Sequence, residues 1–461
     1  MTDINNKYQK LIEKYNVPVP RYTSYPPANY FGTDFSMNDY RQEIIRSNNV
    51  NPRTLSFYFH IPYCRRLCHY CGCNAFPMAS DEQIKRYVDA LHKEIDLVLP
   101  LLDKSRPVSQ IHYGGGTPTI LEASVLKELN DHLLQHFPRI ENPEIAIECH
   151  PGWIDVKYWE DLCDAGFNRF SLGIQDFNND VMKCVNRKPS LMPVDDIVRL
   201  LRGKGAKINM DFLYGLPLQS PESFRETIDK AITIRPDRLV TFSYAHVPWV
   251  NKRQLILEKA GLPLPEVKKA MFDVAQDALI NGGYVQIGMD HFVQPDDELA
   301  VALAEGLMHR NFQGYCTLRT TGQVYAFGVT GISQLTYAYA QNEKDIQQYI
   351  EKVEQGTLPT CKGYLLSEQE LVTRKTIDML MCNYQIDWNK LATQAGKTVD
   401  ELKSILEYDN SKIKELAGDG VIEVSDDRIV MTEEGRMFVR NVATAFDPLM
   451  KNNQKSFSKP I

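Results

Sequence analysis

Four cysteines lie within ten positions near the N-terminus. The first three, Cys64, Cys68 and Cys71, have the spacing C-x3-C-x2-C, and Cys73 follows two residues later. Thiolates are soft ligands that suit iron–sulfur clusters or zinc. Zinc sites usually combine two pairs of ligands, and the sequence shows no second matching pair. The spacing therefore favours a cluster that keeps one iron open, and zinc remains the alternative.

The cysteines follow a segment with the composition of a buried strand, residues 55–61. Further strand patterns then alternate with helical patterns, a rhythm that predicts parallel strands joined by right-handed crossovers. About six such units are present, fewer than the eight of a closed barrel. The strands predicted after the first one cover residues 108–113, 144–148, 169–175, 208–215 and 239–246.

The cysteine spacing, with Tyr70 before the third cysteine, resembles the signature of the radical S-adenosylmethionine (SAM) superfamily. Within that superfamily, C-G-C-N from Cys71 to Asn74 and R-Y-T-S-Y-P at residues 21–26 resemble the oxygen-independent coproporphyrinogen III oxidases. The resemblance extends from Tyr15 to the end of the chain. It implies an α/β fold, a partial open (β/α)6 barrel with an N-terminal strap and a mostly helical C-terminal domain.

The resemblance also implies the reaction. Cys64, Cys68 and Cys71 would hold a 4Fe–4S cluster, and two SAM molecules would be bound, one on the cluster and one beside it. A 5′-deoxyadenosyl radical would take hydrogen from two propionates of coproporphyrinogen III, which become vinyl groups as protoporphyrinogen IX forms. A flavodoxin or ferredoxin would supply electrons. Cys73 would either relay hydrogen or an electron, or simply be a small buried residue.

Each predicted strand ends in polar or glycine residues, as expected of an active site at the C-terminal rim of a barrel. The run Gly114-Gly115-Gly116-Thr117-Pro118 lets a ligand approach the backbone, and its N–H groups can hold a carboxylate or an amino-acid head. The resemblance assigns to one SAM Tyr58, Gly115, Glu148 and Ile332, and to the other Tyr70, Gly116, Thr117, Gln175, Arg187, Asp211 and Ala245. Two departures concern these contacts. Cys149-His150 stands where the family commonly has Val-Asp, and Gly331 stands where alanine is usual.

A substrate with four carboxylates needs basic partners in an acidic chain. Arg21 lies in a proline-rich segment, residues 17–27, which cannot be helical. The resemblance places this segment over the mouth of the site, so Arg21 is a candidate partner of a propionate. Arg310, in the family-like stretch 309–315, is a second candidate. A plain surface strap is the alternative for the proline-rich segment.

The sequence predicts three parts: an N-terminal helix and strap over residues 1–50, the barrel over 51–360, and a helical domain with a short hairpin over 361–461, which ends in a polar tail. Helices followed by a hairpin are also typical of a winged helix, which would bind DNA. The region that would recognise DNA, residues 399–403, is not basic. A domain that packs on the barrel is therefore favoured.

The 461 residues carry a formal net charge of −7. This charge argues against nonspecific binding of nucleic acid, no apolar run is long enough to span a bilayer, and the polar N-terminus lacks a signal-peptide core. We therefore expect a cytoplasmic protein, and the resemblance implies a monomer. Three alternatives stay open: a haem-binding trafficking protein, a radical SAM enzyme acting on another tetrapyrrole, and a zinc-bearing regulator.

Overall fold

The computed structural model describes residues 10–317, 319–320, 322–451, 455 and 457. The first nine positions of the predicted N-terminal segment lie outside these residues, as does most of the polar tail after residue 451. No helix in the described ranges is long and apolar enough to cross a membrane.

Strands of the described residues are numbered in chain order. They are β1 (Leu55–Ile61), β2 (Tyr63–Cys64), β3 (Phe76–Pro77), β4 (Val108–Gly115), β5 (Arg139–Cys149), β6 (Arg169–Gln175), β7 (Lys207–Tyr214), β8 (Arg238–Ser243), β9 (Val285–Ile287), β10 (His291–Val293), β11 (Met308–Asn311), β12 (Gly314–Thr317), β13 (Gln323–Phe327), β14 (Ile332–Gln334), β15 (Ala338–Asn342), β16 (Thr360–Leu365), β17 (Gln385–Asp387), β18 (Ile422–Val424) and β19 (Arg428–Met431).

Helices are numbered in the same way. They are α1 (Met37–Ser47), α2 (Asp81–Val98), α3 (Ala123–Leu134), α4 (Val156–Asp164), α5 (Asn179–Cys184), α6 (Val194–Gly203), α7 (Pro221–Ile234), α8 (Leu255–Ala260), α9 (Pro265–Asn281), α10 (Glu298–Glu305), α11 (Ile346–Glu354), α12 (Glu368–Asn383), α13 (Trp388–Ala395), α14 (Val399–Ile405), α15 (Asn410–Gly418) and α16 (Val439–Ala443).

A single twelve-stranded sheet organises the barrel, in the order β16-β15-β14-β13-β1-β4-β5-β6-β7-β8-β10-β9. The strands β1, β4, β5, β6, β7 and β8 are parallel neighbours, which confirms the six predicted units. β13 extends the parallel part beyond β1, and antiparallel strands flank it on both sides. The order is linear, so the sheet remains open, as the resemblance implies.

Aromatic packing fills the space behind the first barrel strand. Phe57 and Phe59 of β1 lie against Phe327 of β13, with ring centroids 5.9 and 5.3 Å apart, and Phe59 stacks on Tyr113 of β4 at 4.7 Å. All four rings are buried. Such continuous apolar runs are expected of parallel strands that are covered on both faces.

A second hydrophobic core joins the two ends of the chain. Tyr15 and Tyr22 of the N-terminal segment belong to the same buried cluster as the C-terminal helices. The Tyr22 hydroxyl donates to Asp447 at 2.8 Å, and the Asn441 side-chain amide donates to the Tyr15 carbonyl at 2.9 Å. The predicted hairpin is present as β18 and β19, and β17 adds a third strand to it. The three-part division of the chain stays a prediction.

A buried carboxylate ties α2 to the loop between β13 and β14. Glu94 accepts hydrogen bonds from the Gly328 amide at 2.8 Å, the Asn342 side chain at 2.7 Å and the Tyr349 hydroxyl at 2.6 Å. Burial raises the pKa of Glu94 to about 7. The Tyr87 hydroxyl connects this loop to β1, since it accepts from the Val329 amide at 3.0 Å and donates to the His60 carbonyl at 2.7 Å.

Glu94→Ala tests this connection. The substitution leaves the buried Gly328 amide and Tyr349 hydroxyl without an acceptor, while the Asn342 side chain keeps the Gly328 carbonyl. Each unsatisfied group costs about 1–3 kcal/mol. We expect the free energy of unfolding in urea to fall by about 3 kcal/mol or more. Lys93→Ala, at the exposed neighbouring position of α2, should change it by less than about 0.5 kcal/mol. Equal small changes in both variants would contradict a stabilising role for the carboxylate.

Candidate active site

The cysteine loop is held against the end of β4. The amides of Gly116 and Thr117 donate to the carbonyls of Ile61 at 2.8 Å and Tyr63 at 3.0 Å. A Cβ atom at position 116 would lie 2.7 Å from the Pro62 carbonyl carbon. Glycine is therefore required there by the close approach of two backbones. These two amides are occupied by the loop, which differs from the expectation that the amides of this run are open to a ligand.

The three thiols with cluster spacing influence one another. Burial raises the pKa of Cys64 to about 11, and the neighbouring Cys71 and Cys68 add to the increase. A hydrogen bond with Cys73 lowers the pKa of Cys71 to about 6. The Thr117 hydroxyl lies 3.3 Å from the Cys64 sulfur. The cysteine sulfurs are soft donors, and they are close enough to affect one another's pKa. Their type and proximity suit a metal centre with thiolate ligands.

The residues present fit an iron–sulfur cluster by their chemistry. Cys64, Cys68 and Cys71 are three thiols on one loop, and cysteine thiolates are the usual ligands of iron–sulfur clusters.

The segment that follows α5 places the Arg187 guanidinium beside the cysteine loop. The Arg187 Nη1 atom lies 3.6 Å from the Cys68 sulfur, and its Nη2 donates to the Gly173 carbonyl. Gln175 ends the strand in a left-handed conformation, with φ of 70°. Its side-chain nitrogen and the Arg187 guanidinium both border Gly173. The fold thus brings Arg187 and Gln175 together beside the cysteine loop.

Tyr58 and Glu148 meet above β4, next to two histidines. The Tyr58 ring stacks on His112 at 5.9 Å, whose Nε2 lies 3.2 Å from a Glu148 oxygen. The Tyr58 hydroxyl lies 3.2 Å from His60 Nδ1. A Cβ at position 114 would come within 2.7 Å of Glu148 and 3.0 Å of the Tyr58 hydroxyl. Sequence reasoning missed both histidines, although His60 shares a strand face with Tyr58.

Asp211 on β7 lies in a small polar network. The Ser171 hydroxyl donates to one of its oxygens at 2.7 Å, and the Asn209 side chain donates to the other at 2.8 Å. Burial raises the pKa of Asp211 to about 6. The alternation of strand residues is the signal that marks Ser171 and Asn209 as neighbours of Asp211 on one sheet face.

The loop after β8 contacts the cysteine loop directly. The Gln254 side-chain amide donates to the carbonyls of Tyr70 at 3.0 Å and Ala245 at 3.3 Å, so these two predicted residues share one partner. Asn251 donates to the Cys71 carbonyl at 2.7 Å. Ile332 lies apart from them, on the other flank of β1, where it opens β14 and packs in a cluster with Tyr339.

Arg21 and Arg310 are separated by 289 positions but are joined in the fold. The Arg310 Nη1 atom donates to the Arg21 carbonyl at 3.1 Å, and its guanidinium lies over the Tyr315 ring at 4.9 Å. Although burial opposes it, His291 and the two arginines lower the pKa of the Asp290 carboxyl. The strap therefore reaches the rim near β10 and β11.

Lys268 on α9 is a basic residue that sequence reasoning missed. It donates to the Tyr244 carbonyl at 2.7 Å. Burial lowers its pKa to about 8, and the nearby charge of Arg21 contributes. In sequence it resembles any solvent-facing lysine of an amphipathic helix. Only packing marks it, because its side chain crosses Gly215, where a Cβ would lie 3.0 Å from Lys268 Cε.

Comparison with known proteins relates this site to one group. The family model of the Radical SAM superfamily matches residues 58–231 of the chain. The chain is 38% identical to the oxygen-independent coproporphyrinogen III oxidase of Synechocystis sp. over 98% of its length and 97% of that protein. It is also 38% identical to the oxidase of the same name from Escherichia coli, over 98% of both chains.

Structural similarity extends over the whole fold. The crystal structure of coproporphyrinogen III oxidase from Escherichia coli, described as a radical SAM enzyme, matches with a TM-score of 0.85. The match covers 93% of this chain and 97% of that chain at 38% sequence identity. The match is too extensive to leave out the C-terminal region, so most of that region belongs to the shared architecture.

The three cysteines can be tested by their iron content. After anaerobic reconstitution, Cys64→Ser, Cys68→Ser and Cys71→Ser should each lower bound iron at least about tenfold, because each removes a thiolate ligand. Cys73→Ser and the remote Cys163→Ser should retain the iron of the parent protein. Loss of iron in Cys73→Ser with full retention in Cys71→Ser would contradict the assignment.

Proposed function

The chain belongs to the oxygen-independent coproporphyrinogen III oxidases of the radical SAM superfamily, and we propose that the site described above carries out their reaction. The protein is an oxidoreductase that converts two propionates of coproporphyrinogen III to vinyl groups, which gives protoporphyrinogen IX. The observation that carries this conclusion is 38% identity to named oxidases over 98% of the chain. Near full-length identity also disfavours a haem-trafficking role or another tetrapyrrole substrate.

The cofactors are a 4Fe–4S cluster on Cys64, Cys68 and Cys71, and SAM, for which we propose two molecules. When bound, these groups supply a 5′-deoxyadenosyl radical that removes hydrogen from the β-carbon of a propionate. We assign Tyr58, Gly115, Glu148 and Ile332 to one SAM, and to the other Tyr70, Gly116, Thr117, Gln175, Arg187, Asp211 and Ala245. The proximity of Arg187 and Gln175, and the shared partner of Tyr70 and Ala245, support the second group.

The charged residues of this site have distinct tasks. Arg187 suits the SAM carboxylate, because a guanidinium binds carboxylates through two parallel hydrogen bonds. Asp211 can accept hydrogen bonds from a ribose hydroxyl, and Ser171 and Asn209 hold its carboxylate in place. We assign to Cys73 a relay of hydrogen or an electron, supported by its hydrogen bond to Cys71.

Arg21, Arg310 and Lys268 are proposed as partners of the substrate propionates. They lie close together, since Arg310 contacts Arg21 directly and the charge of Arg21 acts on Lys268. The Arg310 Nε atom is buried without a hydrogen-bond partner in the described residues, and an unpaired buried donor favours an arriving acceptor. Three cations at one part of the rim would position two or more of the four carboxylates.

The strap is proposed to exclude water from the reacting carbons. Tyr22 and Tyr25 are almost completely buried, and the buried Arg440 guanidinium donates to the carbonyls of Val19 and Pro20. A rigidly held strap prevents water from quenching a reactive centre. The C-terminal region then acts as the support of the strap rather than as a DNA-binding module.

We also propose a cytoplasmic monomer that binds neither membrane nor nucleic acid and receives electrons from a flavodoxin or ferredoxin. All ten cysteines are free thiols, which suits a reducing compartment. The net charge of −7 repels nucleic acid.

An anaerobic assay tests the function. Reconstituted protein, SAM, dithionite and coproporphyrinogen III should give protoporphyrinogen IX, with one 5′-deoxyadenosine for each carbon dioxide released. Cys71→Ser is the matched inactive control. Formation of deoxyadenosine without carbon dioxide would indicate that the enzyme acts on another substrate. Haem binding without either product would favour a trafficking protein.

The role of Lys268 predicts a pH dependence. Its pKa of about 8 makes it cationic at lower pH and neutral at higher pH, so binding of propionate should weaken as the pH rises. We expect kcat/KM for coproporphyrinogen III to fall about tenfold between about pH 7 and pH 9, since this ratio reports groups of the free enzyme. Lys268→Arg should remove the decline, and Lys269→Met should preserve it. An unchanged profile in Lys268→Arg would contradict the role.

A further inference from the structure

Three cations surround one exposed face of the cysteine loop. Arg65 and Arg66 follow Cys64 directly and are exposed. The Arg65 guanidinium lies 5.9 Å from the centre of the Trp153 ring, and the Lys188 ammonium lies 4.0 Å from it. The charges of Lys188 and Arg66 also contribute to the lowered pKa of the adjacent His150, where burial is the largest cause. We call Arg65, Arg66, Lys188 and Trp153 the basic face.

Within the part of the chain that the structure describes, the cations of the basic face form no ion pair with a carboxylate. Among the described residues, no carboxylate lies within ion-pair distance of Arg65, Arg66 or Lys188, whereas many other exposed cations of this acidic chain are paired, such as Lys157 with Asp161 at 2.7 Å. Glu122 lies near one edge, since it and Arg65 both act on Tyr158. Unpaired cations on one face repel one another, and a negatively charged partner would relieve this repulsion. The basic face therefore favours the binding of a negatively charged partner.

The basic face is separate from the proposed substrate cations. It lies beside the ends of β5 and β6, because Trp153 follows β5 and Lys188 follows β6 and α5. Arg21, in contrast, acts on Lys268, Tyr214 and Asp290 near β7 and β10. A substrate bound at the strap would therefore leave the basic face uncovered, so that another partner could bind there. Arg65 and Arg66 stand between two proposed cluster ligands, Cys64 and Cys68, so a partner seated there lies next to the cluster with few intervening atoms.

We propose that the basic face is the docking surface for a small acidic one-electron carrier protein. This inference rests on the proposed function, because it specifies where the reductant of that site binds. In the transfer step the carrier loses one electron and the cluster gains it, with no bond or proton exchanged. Charge complementarity orients the carrier and accelerates its association, and the Trp153 ring provides an apolar contact of the kind common in interfaces.

The experiment compares two reductants on reconstituted enzyme, with photoreduced flavodoxin as the acidic probe and dithionite as the small one. The charge reversal Arg65→Glu with Arg66→Glu should weaken flavodoxin binding and slow flavodoxin-driven cluster reduction at least about tenfold. Dithionite-driven turnover should stay within about twofold of the parent enzyme. In the parent, the affinity for flavodoxin should decline as salt is raised. Binding is measured by calorimetry and reduction by stopped-flow absorbance.

Three further variants keep the test decisive. Lys188→Glu lies outside the cysteine loop and should show the same separation of reductants, even if the double variant holds less iron. Lys104→Glu with Lys414→Glu reverses the same amount of charge at two remote exposed positions and should leave flavodoxin binding unchanged. The conservative Arg65→Lys with Arg66→Lys should restore binding.

The inference is overturned if flavodoxin and ferredoxin do not bind the parent enzyme in a salt-dependent way, or if the remote reversal weakens binding as much as the local one. It is also overturned if the local reversal raises the KM for coproporphyrinogen III with dithionite, since the arginines would then bind substrate. Failure of the proposed function is distinguishable, because dithionite would then give no protoporphyrinogen IX in the parent, whatever its affinity for flavodoxin.

Discussion

The contact between the cysteine loop and the end of β4 is the interaction on which the site depends. Two backbones approach so closely that a Cβ atom at position 116 would overlap the Pro62 carbonyl. The amides of Gly116 and Thr117 hold the carbonyls on either side of Pro62, and the Thr117 hydroxyl reaches the Cys64 sulfur. One glycine thus sets the position of the first thiol over the barrel rim. Arg187, in the segment after α5, and the loop after β8 then contact the remaining part of the cysteine loop.

A second constraint joins the ends of the chain. The Arg440 Nε atom donates to the Pro20 carbonyl at 3.0 Å across 420 positions of sequence. Burial lowers the pKa of Arg440 to about 9, and the charges of Arg21 and Arg310 add to this effect. A buried guanidinium needs such acceptors to offset its loss of hydration. The strap is therefore held by the C-terminal helices, which gives a structural reason for the helical region that follows the open barrel.

Local charge differs sharply from overall charge in this molecule. A chain of net charge −7 carries one group of cations at the strap, near β7 and β10, and another on the basic face, near β5 and β6. Their separation on the rim allows one group to hold a polycarboxylate while the other remains open to solvent. Because electrostatic attraction between exposed groups fades over about 10 Å at moderate salt, the acidic remainder of the surface does not cancel either group.

The sequence by itself determined the six parallel strands and the hairpin, because strand composition and turn residues are local properties. Ligand spacing is local too, and it predicts the cysteine centre. Tyr58, Glu148, Arg187 and Asp211 were identified by family motifs rather than by geometry. Only the tertiary structure revealed where His60, His112 and Lys268 lie, because their positions depend on burial and on partners distant in sequence. It also decided that the amides of Gly116 and Thr117 hold the cysteine loop, and that Arg21 meets Arg310. Contacts between residues hundreds of positions apart depend on how the strap and the C-terminal helices pack, and no local pattern encodes that packing.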